Sequence, residues 1–189
     1  MFTKAAIPAT RAYTIVEIMV AVAIFSISAL ALSTIFLFSI RSYAAMANYA
    51  VLDQKNRQAM DQLTYEIRQA QNVVGYTSNT TSSSLTITNG DGVQVTYTFD
   101  SPNQRVTRTA SDGTSRTLLT NCALLNFNLY MRPPTNGSFD VYPVDLTTNW
   151  QQTVKVVQLS WKTAMMLPPA RVTSEDIQTA RIVIRKQQN

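Results

Sequence analysis

The chain has 189 residues, a formal net charge of +5, 46% hydrophobic residues and only 14% charged ones, a length that suits one domain with an appendage rather than two full domains. With no histidine and a single cysteine, an intrachain disulfide is excluded, and most nucleophile–base pairs and the common zinc sites lack their ligands. The positive charge is dispersed: Lys4, Arg11 and Arg41 flank one apolar stretch, and Arg185 and Lys186 lie far from it, unlike the clustered patch of a nucleic-acid binder.

The first element is a membrane helix. From Ile18 to Ile40 there is no charge, proline or glycine, and about 20 apolar residues suffice to span a bilayer. Ser26, Ser28, Ser33, Thr34 and Ser39 interrupt the run, but their hydroxyls can bond back to helix carbonyls, and small polar residues allow close helix approach in lipid. Lys4 and Arg11 precede the span, which places that end in the cytoplasm and the bulk of the chain outside it. Glu17 stands at the head of the apolar run, where a carboxylate is costly and marks a functional position.

The segment Ala12-Tyr13-Thr14-Ile15-Val16-Glu17-Ile18-Met19-Val20-Ala21 resembles the cleavage and N-methylation motif of type IV prepilins and pseudopilins. The resemblance implies a basic leader, residues 1–12, removed by a prepilin peptidase between Ala12 and Tyr13. Tyr13 then becomes the N-methylated terminus and Glu17 the fifth mature residue. Ala12 stands where the family has glycine, a change that keeps the residue small, and Tyr13 replaces the commoner Phe. The resemblance also implies that the Glu17 carboxylate pairs with the N-terminal ammonium of a neighbouring subunit. An ion pair in apolar surroundings stabilises little, yet it penalises wrong registers because a mismatch strands a buried charge.

Between Tyr13 and Val74 there is neither proline nor glycine. Beyond Arg41, Met60, Leu63, Ile67, Ala70 and Val74 recur at helical spacing, with Asp53, Lys55, Arg57, Asp61, Glu66 and Arg68 for a solvated face. Gly75 is expected to stop the helix, which would then extend roughly 90 Å. The membrane or assembly half is 13–41, the amphipathic half 42–75 and a β-rich head 76–189. The absence of a helix-breaking glycine or proline in the membrane half leans toward a minor pilin or pseudopilin.

After a polar loop over 75–84, the head reads as strands and turns. Leu85–Thr88 leads into the turn Asn89-Gly90-Asp91-Gly92, and Val93–Phe99 alternates cleanly. Arg105–Arg108 and Arg116–Leu119 flank Asp112-Gly113, completing an antiparallel meander. Leu124–Met131 is a further strand, and the stretch to Trp150 is expected to be an irregular surface excursion. Val154–Trp161 and Ala180–Arg185 form two last strands, joined around Pro168-Pro169. Cys122 lies in an apolar run and reads as a buried inert thiol. Asp91, Asp100 and Asp112 fall in turns, where aspartate bonds its own backbone, and Asn89–Gly92 offers too few oxygens for calcium.

The fold class is therefore α+β and pilin-like: a long N-terminal helix, membrane-embedded in its first half, packed on a C-terminal antiparallel β-sheet head. The helix segment from Arg57 to Val74, the strand with Trp161 and the strand from Thr179 to Arg185 resemble the PilW and GspJ type of minor pilins. The implied function is a non-enzymatic structural subunit of a type IV pilus or type II secretion pseudopilus, with no cofactor and no metal. The implied partners are other pilin or pseudopilin subunits, the prepilin peptidase, the inner-membrane assembly platform and membrane lipid. The implied location is the inner membrane with the head outside the cytoplasm, then a surface fibre or periplasmic pseudopilus. Two alternatives are a DNA-uptake pilin with a basic face of Arg105, Arg108, Arg116 and Lys162, and a membrane-tethered enzyme or receptor with an uncleaved anchor.

Overall fold

The computed structural model describes residues 12–79, 82–131, 141–147, 149–166 and 173–185. The chain divides into two compact units, Met1–Ala44 and Ala45–Asn189, and the helix α1, Ile15–Gln69, runs from the first into the second.

In the first unit the apolar side chains of α1 are exposed from Ile15 to Ile40. Each hydroxyl in this stretch turns inward to its own helix. Ser26, Ser28, Ser33 and Ser39 donate to the carbonyls four residues back at 2.7, 2.9, 2.8 and 3.0 Å, and Thr34 donates to Ala31 at 2.7 Å. The polar atoms are thereby satisfied without water, as an apolar environment demands. Among the described residues, α1 is the one helix long and apolar enough to cross a membrane.

In the second unit α1 becomes amphipathic and buries Leu52, Asn56, Ala59, Leu63 and Ile67, a three-and-four spacing that keeps one stripe on the sheets. The first sheet is the antiparallel meander β1 (Asn72–Ser78), β2 (Ser82–Thr88), β3 (Gln94–Asp100), β4 (Arg105–Ala110) and β5 (Ser115–Thr120), in that order. The second contains β6 (Cys122–Met131), β7 (Tyr142–Pro143), β8 (Val154–Met166) and β9 (Thr173–Val183), in the order β7-β6-β8-β9 and wholly antiparallel. A single turn, α2 (Trp150–Thr153), precedes β8. Strict alternation turns Leu85 and Ile87, Val95 and Tyr97, Leu125 and Phe127, and Leu159 and Trp161 into one core with the helix stripe. The Tyr76 hydroxyl donates to the Phe127 carbonyl at 2.9 Å and ties the two sheets together.

The helix ends earlier than its sequence suggests. It stops at Gln69, although Ala70 is still fully buried. The Gln71 N–H then bonds the Thr88 carbonyl at 2.8 Å, and Asn72 begins β1. The β-branched pair Val73-Val74 suits a strand, and pairing along β2 satisfies more backbone than another helical turn would. Gly75 is accordingly no helix stop; it lies in β1 at a register shift opposite Thr86. A Cβ there would sit 3.3 Å from the Thr86 side chain, so the close approach of the strands explains the glycine. Of the expected loop over 75–84, residues 75–78 belong to β1 and 82–84 to β2, paired Thr77 to Ser84 and Ser78 to Ser83, while residues 80 and 81 lie outside the described residues.

The expected meander is the first sheet, and its turns follow their residues. Gly92 and Gly113 have φ of +79° and +87°, the left-handed region that glycine enters without strain. The last two strands are adjacent as expected, but longer at their facing ends: β8 reaches Met166 and β9 begins at Thr173. Their connection around Pro168-Pro169 lies outside the described residues. The excursion before Trp150 is less irregular than expected, because β7 pairs with β6 and both Val144 and Trp150 pack against the core.

Candidate processing and assembly site

Ala12, Tyr13 and Thr14 form a non-helical lead into α1, and all three are exposed. Thr14 is the residue before the first helical position, and it and Glu17 bond reciprocally. The Thr14 hydroxyl accepts the Glu17 N–H at 3.3 Å, while the Glu17 carboxylate accepts the Thr14 N–H at 3.4 Å and its hydroxyl at 3.5 Å. The Ile18 N–H closes the first turn on the Thr14 carbonyl at 3.2 Å. This is a capping box, in which two donors that the helix leaves unpaired are satisfied by each other's residues. Glu17 also lies at the positive end of the helix dipole, where negative charge is favoured. Tyr13, Glu17, Ile18, Ala21, Val22 and Phe25 line one shallow groove on the helix, so the carboxylate borders an otherwise apolar face.

The structure thus brings Tyr13 and Glu17 onto one groove and leaves the Ala12–Tyr13 bond in a non-helical, exposed segment. Residues 1–11 of the expected leader lie outside the described residues. Sequence reasoning overlooked Thr14, although the spacing Thr-x-x-Glu before an apolar run is the readable mark of a capping box.

Of the four residues of the alternative basic face, Arg108 and Arg116 are cross-strand partners in the first sheet, while the others are placed apart from them. Arg108 turns toward the helix, and its Nε bonds both Glu66 oxygens at 3.0 Å. Arg105 sits in the first sheet opposite Asp100, and Arg116 is exposed on β5. Lys162 belongs to the second sheet and pairs with Glu175 at 2.8 Å. Among the described residues, no three His, Cys, Asp or Glu side chains come together as a metal site would require. Asp100 and Asp112 are spent on their turns. Hydrogen bonds from Asn103 and from Thr114, respectively, hold these carboxyls below the usual range. Burial pushes the Cys122 thiol up to about 11, so it is neutral and inert, in keeping with its expected role.

The fold and the motif define an α+β protein with a pilin-like architecture, and its apolar N-terminal helix fits a membrane anchor. The sequence model described as the prokaryotic N-terminal methylation motif matches residues 8–33, which include Ala12, Tyr13, Thr14 and Glu17. This motif, together with a long apolar helix packed on antiparallel sheets, supports a place in the type IV pilin and pseudopilin family. No curated protein matches the chain.

Proposed function

We propose that this chain is a minor pilin or pseudopilin: a non-enzymatic structural subunit that polymerises through α1 into a type IV pilus or a type II secretion pseudopilus. The observation that carries the reading is the methylation motif at the head of an unbroken, solvent-exposed apolar helix. An exposed surface of that size has to be covered by lipid or by protein, and polymerisation replaces the first with the second. In this reading the prepilin peptidase cuts the Ala12–Tyr13 bond, the new Tyr13 amine is methylated, and Glu17 pairs with the terminal ammonium of the next subunit. The chain waits in the inner membrane, single-pass with its head outside the cytoplasm, until the assembly platform draws it into the fibre. The PilW and GspJ type is supported by a head that places the strand with Trp161 beside the last strand.

Mass spectrometry of the membrane fraction tests this. The expected species begins at Tyr13 with one added methyl group, and the same species appears in sheared fibres or in the pseudopilus fraction. A chain that retains residues 1–12 would overturn the proposal in favour of an uncleaved anchor.

A further inference from the structure

The second sheet ends on a strand, β9, whose outer edge has no backbone partner over Glu175–Val183 among the described residues; just past it the Arg185 N–H bonds the Arg68 carbonyl of α1 at 3.2 Å. The direction of its free groups follows from one bond. Ile184 donates its N–H to the Lys155 carbonyl at 3.0 Å, and β9 pairs with β8 without a register shift, Ile182 opposite Val157 and Ala180 opposite Leu159. In an antiparallel ladder the bonding direction alternates along the strand. The even-numbered residues of β9 therefore bond β8, and the backbone groups of Glu175, Ile177, Thr179, Arg181 and Val183 face outward.

The other edges are guarded. β7 has two residues and contains Pro143. β5 has six and is polar and exposed over most of its length, and β1 is interrupted by the register shift at Gly75. β9 is eleven residues long, regular, and presents Ile177 at 67% and Val183 at 55% exposure. A long regular edge with apolar side chains is a template for another strand.

We infer that β9 is a homotypic docking edge, pairing antiparallel with β9 of a second copy of this chain across a two-fold axis at Gln178. Charge chooses the partner and the register. A two-fold at residue 178 sets Glu175 opposite Arg181 of the second copy, and Ile177 opposite Thr179, all of them positions with outward-facing backbone. Both charged side chains lie on the outer face of the sheet and are held in place. Glu175 bonds Lys162 at 2.8 Å; Arg181 bonds Gln158 at 2.7 Å and lies 5.7 Å over the Tyr130 ring. The self-complementary order Glu-x-Ile-x-Thr-x-Arg meets its own image with opposite charges aligned twice, as an isologous interface requires. An unrelated extended peptide would satisfy the backbone but not this symmetry. A strand edge alone is a small interface, so its work falls to chains already concentrated in one membrane, where effective concentration is high. This contact is independent of polymerisation through α1.

The test uses the full chain in detergent, followed by sedimentation equilibrium. The wild type is expected to dimerise. Glu175→Arg and Arg181→Glu each weaken the dimer roughly tenfold, because each reversal sets two like pairs across the axis. The double reversal restores affinity. Thr179→Pro abolishes the dimer while leaving thermal unfolding nearly unchanged, since the N–H it removes has no partner among the described residues and the hydroxyl gives up only an exposed bond to Ser160. If Thr179→Pro impairs folding, the reversal and rescue decide alone. A monomeric wild type, single reversals without effect, or a double reversal that fails to rescue each overturn the inference. Association that survives every β9 variant assigns the contact to α1 instead, leaving the fibre reading intact.

Discussion

Two buried side chains make the stability of the head sensitive to alkali. Cys122 is fully buried, and burial raises its pKa from 9.0 to about 11. Tyr97, also fully buried, is raised first by burial and then by its hydrogen bond to Glu66 and the charge of that carboxylate. Both groups are neutral when protonated, and the folded state holds each proton to a higher pH than the unfolded chain does. Their contribution is complete below the unfolded values and is lost as pH rises through the folded ones. For Cys122 the window runs from 9.0 to about 11. We expect the urea midpoint of the full chain in detergent to fall across that interval, and Cys122→Ala to flatten the fall. An equally steep decline in Cys122→Ala would remove the thiol from the account. At Thr14 the chemistry is local in another way: Thr14→Ala removes the hydroxyl that caps α1 and costs about 1 kcal/mol at the helix start.

Within the head, α1 is held by two polar clusters set into an apolar stripe. At Asn56 the side-chain amide donates to Thr163 at 2.8 Å and Asp176 at 2.6 Å, and its oxygen accepts the Trp161 N–H at 3.1 Å, joining the helix to β8 and β9. At Glu66 the carboxylate accepts from Tyr97 and Arg108 of the first sheet and from Gln62 at 3.0 Å. We expect Asn56→Leu to destabilise the head by about 3 kcal/mol, because it strands the Trp161 N–H and the buried Thr163 hydroxyl and removes one of the two donors to the Asp176 carboxylate. Denaturant unfolding followed by tryptophan fluorescence reads this. Glu66→Leu is expected to cost a similar amount, about 3 kcal/mol, by leaving the Arg108 guanidinium largely buried and unpaired. Adding Arg108→Leu should recover part of that loss, the rest remaining because the buried Tyr97 hydroxyl still lacks its Glu66 acceptor, and a double variant no better than Glu66→Leu would show that Arg108 is not the stranded group. Neither cluster was legible in the sequence. Asn56 reads as a blemish in the stripe, and Glu66 lies 31 and 42 positions from Tyr97 and Arg108, with nothing local to mark the pairing. The strands of the meander were legible because alternation and turn residues are local signals. The helix end was not, because the choice at Val73-Val74 depends on β2 offering a partner.

At the scale of the whole molecule, Glu17 serves two different demands, and they can be separated. In the single chain its carboxylate closes the capping box with Thr14. In the proposed fibre the same carboxylate meets the ammonium of a neighbour, where a mismatch leaves a buried charge. Glutamine keeps the acceptor that a capping box needs but carries no charge, while Thr14→Ala breaks the cap and keeps the charge. If assembly depends on the ion pair, Glu17→Gln should be cleaved, methylated and anchored like the wild type, yet be depleted at least tenfold from sheared fibres or the pseudopilus fraction, since the registry penalty for stranding such a charge is several kcal/mol. Thr14→Ala should assemble nearly normally, because loss of a cap of about 1 kcal/mol is small against burial of the whole apolar helix face. The reverse pattern, with Glu17→Gln incorporated and Thr14→Ala excluded, would make Glu17 a local helix cap and leave registry to the packing of α1 alone. Quantifying both variants in membrane and fibre fractions of the same cells distinguishes the two, because a defect in processing or anchoring would lower the membrane pool as well.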